Sequence, residues 1–319
     1  MNNPLTLLFA LTLCSVPVFT FAESWSHTES RCSQTDVIFC TGFEETSWRD
    51  NWDDYDGNPE STNSVHSIPG PLNHPDNKAM RLRVPTGRGN ADTIKVLPSS
   101  HQKLYARWYQ YWEPGYDFSA LNHGSGLHAG DRSRLGRSGI RPESDEYYST
   151  WIEPYNSRLN LYTYYRGMYQ DCADPNGSCW GDHLPCTMDE GSGYCTKPEH
   201  RETVMPPVME TGQWYCIEVM LDGGTPSNSD AQADGKANFW IDNTAYGPWE
   251  NLWLRSEESL KVNILWLSIF HHDEHSVEGA YFDNVVVSTN RVGCLSTDTE
   301  PANAAPNPPH NVNLSRDNN

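Results

Sequence analysis

Two histidines, His123 and His128, sit in the run Asn122-His123-Gly124-Ser125-Gly126-Leu127-His128-Ala129-Gly130. Glycine permits positive φ and close backbone approach to a ligand, and imidazole gives or takes a proton near neutral pH. Arg132, Arg134, Arg137 and Arg141 follow at once, against the single acid Asp131. A guanidinium fork suits carboxylates. The basic run therefore reads either as a grip on a polyuronate or as a solvated loop paired with an acidic surface. Further on, Tyr162, Tyr164 and Arg166 recur at alternate positions. Eliminating a 4-linked uronate needs a group that neutralises the carboxylate, a base for the C5 proton and an acid for the leaving oxygen. His, Tyr and Arg can fill these roles without a metal. The catalytic candidates are His123, His128, Tyr162 and Tyr164. The substrate-binding candidates are Arg107, Tyr109, Arg132, Arg134 and Arg166. A tyrosine base requires positive neighbours to lower its pKa, and the arginines are expected to provide them.

Other chemistries fit the residues less well. His271-His272-Asp273-Glu274-His275 suggests a metal site, but neighbours in a strand point to opposite faces, so a loop rim is preferred and no metal is assigned. Asp283-Asn284 could hold backbone or a structural calcium; no other cofactor is expected. A glycosidase needs two carboxyls at a defined separation. Glu143-Ser144-Asp145-Glu146 lacks the last acid of the usual strand pattern, while Glu153 and Glu218 keep hydrolysis open.

Strands must position these groups. Residues 104–112, LYARWYQYW, place Tyr105, Arg107, Tyr109 and Tyr111 on one face and Leu104, Ala106, Trp108, Gln110 and Trp112 on the other. Aromatic faces suit sugar rings, although sandwich packing alone accounts for such a strand. Further strands are expected over 36–44, 78–84, 93–97, 213–222, 237–243, 262–271 and 280–289. A hairpin is expected from 147–153 to 158–166, with Asn160, Tyr162, Tyr164 and Arg166 on one face. In 213–222 the core side should be Tyr215, Ile217, Val219 and Leu221. Residues 51–76 and the glycine–histidine run read as loop. No long segment has a 3.6-residue period, so an antiparallel β-sandwich is expected.

Residues 1–22 read as a signal peptide without a basic start, 23–295 as one β domain and 296–319 as a disordered tail. Nine cysteines occur, one of them in the signal. The remaining even set implies disulfides of undetermined pairing in a secreted or periplasmic product. Spacing disfavours zinc in the Cys172–Cys195 cluster. A net charge of −20 argues against nucleic acid and anionic membranes as partners, and no later segment is apolar enough to span a bilayer. A monomer is expected.

Several stretches together resemble the secreted concanavalin A-like jelly rolls of the polysaccharide lyase type, the glucuronan and alginate lyase relatives and the cellulose-induced proteins. VIFCTGFEE resembles their first strand, LYARWYQYWEPGYDF their tyrosine-arginine strand and turn, and LNHGSGLHAG the glycine-rich loop after it. TGQWYCIEVML and AYFDNVVVSTNRVG resemble late core strands. The resemblance implies a jelly roll of two antiparallel sheets and β-elimination on a uronic-acid polysaccharide, and the expected partner is an acidic or neutral polysaccharide. Asn122 and His123 stand where the lyase loop has a lysine. A non-catalytic carbohydrate-binding module is the alternative, then a glycoside hydrolase.

Overall fold

Leu104, Ala106, Trp108 and Trp112 are buried between two sheets, as alternation requires of a strand with one face on the core. The computed structural model describes residues 29–55, 63–72, 74, 76–84, 89–118, 122–137, 139–143, 145–155, 157–168, 179–185, 200, 205–272 and 278–295. The expected signal segment 1–22, the tail 296–319, and Cys172, Cys186 and Cys195 lie outside these residues. In chain order the first strands are β1 (Val37–Thr41), β2 (Asp54–Tyr55), β3 (Asn63–Ser67), β4 (Lys78–Val84), β5 (Gly89–His101), β6 (Lys103–Trp112), β7 (Asn122–His123) and β8 (Gly126–Gly130). They continue as β9 (Tyr147–Tyr155), β10 (Arg158–Tyr164), β11 (Asp182–Leu184), β12 (Trp214–Asp222) and β13 (Gly235–Ile241). The last are β14 (Thr244–Ala245), β15 (Trp249–Leu252), β16 (Val262–His271) and β17 (Glu278–Ser288).

One sheet has the order β14-β13-β12-β6-β17-β4-β3, with β1 on β17 and β15 on β13. The other runs β11-β10-β9-β8-β16-β5-β2, with β7 on β16. Every strand pairing is antiparallel. The core lies between the sheets. Tyr215, Ile217, Val219 and Leu221 enter it from β12 as their parity requires, with Leu82, Phe282, Leu161, Leu265 and Leu267. Burying each such aliphatic side chain contributes about 1.5–3 kcal/mol before conformational entropy is counted.

Two segments expected as loop are strands. Asn63–Ser67 forms the edge strand β3 within the polar 51–76 stretch. Its sequence, NSVHS, has no hydrophobic alternation; backbone pairing to β4 makes it a strand. The glycine–histidine run forms β7 and β8, and β8 lies between β9 and β16 in the interior of its sheet. Disulfides join Cys32 to Cys40 and Cys216 to Cys294, and Cys179 is also disulfide-bonded. Among the described residues no helix is long and apolar enough to cross a membrane.

Candidate functional site

Residues paired across neighbouring strands share a face. His183 of β11 is opposite Tyr162 of β10, Tyr162 is opposite Trp151 of β9, and Trp151 is opposite Gly126 of β8. Gly126 is opposite Trp266 of β16. The result is one rung across the outward face of the second sheet. At Gly126 a Cβ would lie 2.0 Å from the Thr150 carbonyl and 2.4 Å from Trp151 Cα, so only glycine lets β8 lie this close to β9. Over this bare position Trp151 meets Trp266 edge to face, with centroids 5.9 Å apart.

Next to the rung, Glu153 is two residues beyond Trp151 and so on the same face. It is fully buried, yet its carboxylate bridges two imidazoles: Oε2 is 2.5 Å from His123 Nδ1 and Oε1 is 3.0 Å from His183 Nε2. His123, paired with Phe270 in register, turns its other nitrogen to His272, with the two Nε2 atoms 2.7 Å apart. Tyr162 is parallel to both rings, 5.3 Å from His123 and 4.6 Å from His183. The Tyr162 and Tyr164 hydroxyls are 2.8 Å apart, and the Gly139 amide donates to Tyr164 Oη at 2.9 Å.

The electrostatics follow from this packing. Burial alone would raise the Glu153 pKa, but the two histidines on it outweigh burial and bring it down to about 2. Glu153 is therefore ionised and accepts from both imidazoles. Burial, then the neighbouring Tyr164 and Glu153, drive the Tyr162 phenol well above its ordinary value. Tyr164 is raised too, mainly by burial. The expected lowering by arginine is absent, because the neighbour of these phenols is a carboxylate. Both stay protonated at neutral pH.

The structure brings His123, Tyr162 and Tyr164 together and sets the other candidates apart. His128 is on the same sheet but buried, stacked on Tyr147 at 5.7 Å. Arg107 and Tyr109 are on the opposite sheet. Arg107 is 1% exposed, paired with Glu29 and donating to the Asn284 carbonyl, and Tyr109 accepts from the Leu295 amide at 2.7 Å. Sequence parity put Arg107 and Tyr109 on one face but could not say that Glu29 and the segment around Leu295 cover it. Arg132 pairs with Asp54, Arg134 with Glu146 at 2.7 Å, and Arg166 with Asp145 at 3.8 Å. Arg166 follows the end of β10, and its guanidinium is over Trp253, 4.2 Å from the ring centroid. Of the two readings of the basic run, Arg132 and Arg134 fit pairing with an acidic surface.

Glu153, His183 and His272 complete the cluster. Glu153 was visible as a strand carboxylate and as the residue two beyond Trp151. His272 was visible as the residue facing away from His271, which is buried beside Tyr116. His183 carried no signal, since three residues of β11 are too few for a pattern. Asp273, Glu274 and His275 lie outside the described residues. Among the described residues no group of three His, Cys, Asp or Glu is placed to hold a metal ion. Asp283 is buried and accepts from Asn77 Nδ2 at 2.8 Å and from the Asn284 amide at 2.7 Å. Glu218 holds the Val292 and Gly293 amides on the first sheet. Glu153 and Glu218 therefore belong to different sheets.

No protein-family model and no curated protein sequence matches the chain. Solved structures do. An alginate lyase from a Chlorella virus superposes with a TM-score of 0.55 at 13% identity, covering 79% of this chain and 99% of that one. The fold is that of the jelly-roll polysaccharide lyases. A marine alginate lyase from Aplysia kurodai gives a TM-score of 0.55 at 14% identity, with 80% and 99% covered. An endo-β-1,4-glucuronan lyase from Trichoderma reesei gives 0.49 at 12% identity, with 80% and 96% covered. In this lyase-type jelly roll the histidine–tyrosine cluster lies on the outward face of the β9–β10 sheet.

Proposed function

We propose that the protein is a secreted polysaccharide lyase that cleaves a uronic-acid polymer by β-elimination at the His123 cluster. The observation that carries the proposal is the hydrogen bond between the Nε2 atoms of His123 and His272. Such a bond needs a proton on one of the two nitrogens, so one ring presents an N–H and the other a lone pair at the same point. Glu153 accepts a hydrogen bond from His123 Nδ1–H and stabilises the imidazolium that forms there, which makes His123 the base. His123 Nε2 removes the C5 proton, and the C–H electrons form the C4–C5 double bond. The C4–O bond breaks, and the leaving oxygen takes a proton from His272, which must enter the step as imidazolium and leaves it as neutral imidazole. Among the described residues the cluster contains no lysine or arginine, so the neutralising contact to the uronate carboxylate would come from the imidazole N–H groups. Tyr162 and Tyr164, buried and neutral, hold the rings in place. The solved structures of like fold are named for alginate and glucuronan, both polyuronates, and the disulfides suit export.

The test is incubation with alginate, glucuronan and related polyuronates while following ultraviolet absorbance of the unsaturated product. The wild type should give a steady rise. His123→Ala should lower the rate by at least about 100-fold, the usual weight of one general acid–base group. Absence of absorbance on every polyuronate, with reducing ends still released, would identify a hydrolase. Retention on polysaccharide without any product would identify a binding module.

A further inference from the structure

The outward face of the other sheet carries a second rung. Trp214 of β12 is in register with Tyr111 of β6, Tyr111 with Tyr281 of β17, Tyr281 with Arg81 of β4, and Arg81 with Ser64 of β3. Ring centroids are 5.5 Å apart from Trp214 to Tyr111 and 6.0 Å apart from Tyr111 to Tyr281. His66 adds a further ring 6.0 Å from Tyr281. The next two rungs on this face are sealed, that of Tyr109 by the Leu295 amide and that of Arg107 by Glu29. Trp214, Tyr111 and Tyr281 remain half-exposed, and His66 is exposed. Burying such rings in a core would have stabilised the fold, so their partly exposed faces, side by side on one rung, ask for an occupant.

The spacing and charge of the rung indicate which occupant fits. Strands are about 4.8 Å apart, close to the length of one pyranose unit, so successive strands present one ring per sugar. The C–H face of a pyranose is weakly positive and packs on the negative face of an aromatic ring. Neighbouring rings are inclined by 54°, 72° and 86°, so the strip is ribbed and suits a single chain better than a flat crystal face. It also carries no net charge. Arg81 is paired with Glu113 at 2.6 Å, and burial and Arg81 hold His66 below its ordinary pKa. With Arg81 neutralised by Glu113, the rung offers a polyanion no free cation. We infer that the Trp214–Tyr111–Tyr281 rung is a second carbohydrate-binding site, taking a single chain of a neutral β-glucan on the sheet opposite the His123 cluster.

Affinity electrophoresis of the full chain through native gels containing soluble mixed-linkage β-glucan, or alginate in a parallel gel, tests this. The β-glucan should retard the wild type. Trp214→Ala/Tyr111→Ala should weaken retardation by about tenfold or more, as loss of central aromatic anchors does. His123→Ala should leave retardation unchanged, which separates this site from the proposed catalytic one. Far-UV circular dichroism checks folding, and Tyr281→Ala serves as an independent second variant. The inference is overturned if β-glucan leaves the wild type unretarded, or if variants that fold are retarded as strongly as the wild type. Retardation by alginate alone would also overturn it. So would a change of oligomeric state in the folded variants without a change in retardation, which would assign the rung to a second copy of the chain.

Discussion

His123 and His128 are the same residue type in one short run, yet their surroundings give them opposite chemistry. His123 has a carboxylate on one nitrogen and an imidazole on the other. His128 is packed behind Tyr147, and burial lowers its pKa to about 4 despite the opposing effect of Asp131. This is a group held neutral, and it makes stability depend on pH. Between about 4 and the ordinary value of 6.5 the unfolded chain binds a proton that the folded chain refuses. Stability therefore falls as pH drops through that window. Asp283 acts in the other direction, since burial raises its pKa to about 8 and the folded state takes up its proton first. The comparison that isolates His128 is wild type against His128→Leu. Urea unfolding should show the wild type losing about 3 kcal/mol relative to the variant between pH 7 and pH 4. Parallel pH curves for the two proteins would contradict this account of His128.

At the scale of elements, β8 decides the site. It is short and contains two glycines, so no propensity marks it as a strand. Its neighbours make it one, and Gly126 is the residue that lets them. Adding a methyl there places carbon 2.0 Å from a backbone oxygen of β9, and backbone cannot move aside as a flexible side chain can. Gly126→Ala should destabilise the protein by about 3 kcal/mol, read as a lower midpoint in chemical denaturation. It should also part Trp151 from Trp266 and disturb the rung that carries Tyr162. Stability equal to wild type would mean that β8 and β9 are less tightly paired than described. The hairpin of β9 and β10 was legible because both arms are long and their parity is clear. β11 was not, although its His183 completes the cluster.

On the scale of the whole molecule, the two outward faces differ, and Glu29 and the segment after β17 cover part of one of them. The Cys216–Cys294 disulfide fixes the C-terminal segment to β12, and the amides of residues 292 and 293 rest on Glu218. The bond closes a loop with a sequence separation of 78, which on a chain-entropy basis stabilises the fold by about 4 kcal/mol. Cys216→Ser/Cys294→Ser should lose about that much in guanidinium unfolding. Under folding conditions it should leave the polyuronate activity proposed above intact, because the cluster lies on the other sheet. Loss of that activity in a variant that is still folded would show that the sheets are coupled.

Alternation of side chains along the longer strands was enough to specify an antiparallel sandwich, because a strand with one buried face must repeat every second residue. In β6 and β12 the alternate residues Leu104, Ala106, Trp108, Ile217, Val219 and Leu221 enter the core between the sheets. Sequence also supplied the histidines and tyrosines of the cluster, since residue type is chemistry. Tertiary structure alone decided which of them meet. The register of β11 on β10 puts His183 beside Tyr162, and folding leaves Arg107 beneath Glu29 on the far sheet. Pairing between strands depends on contacts distant along the chain, and a local pattern carries no record of them.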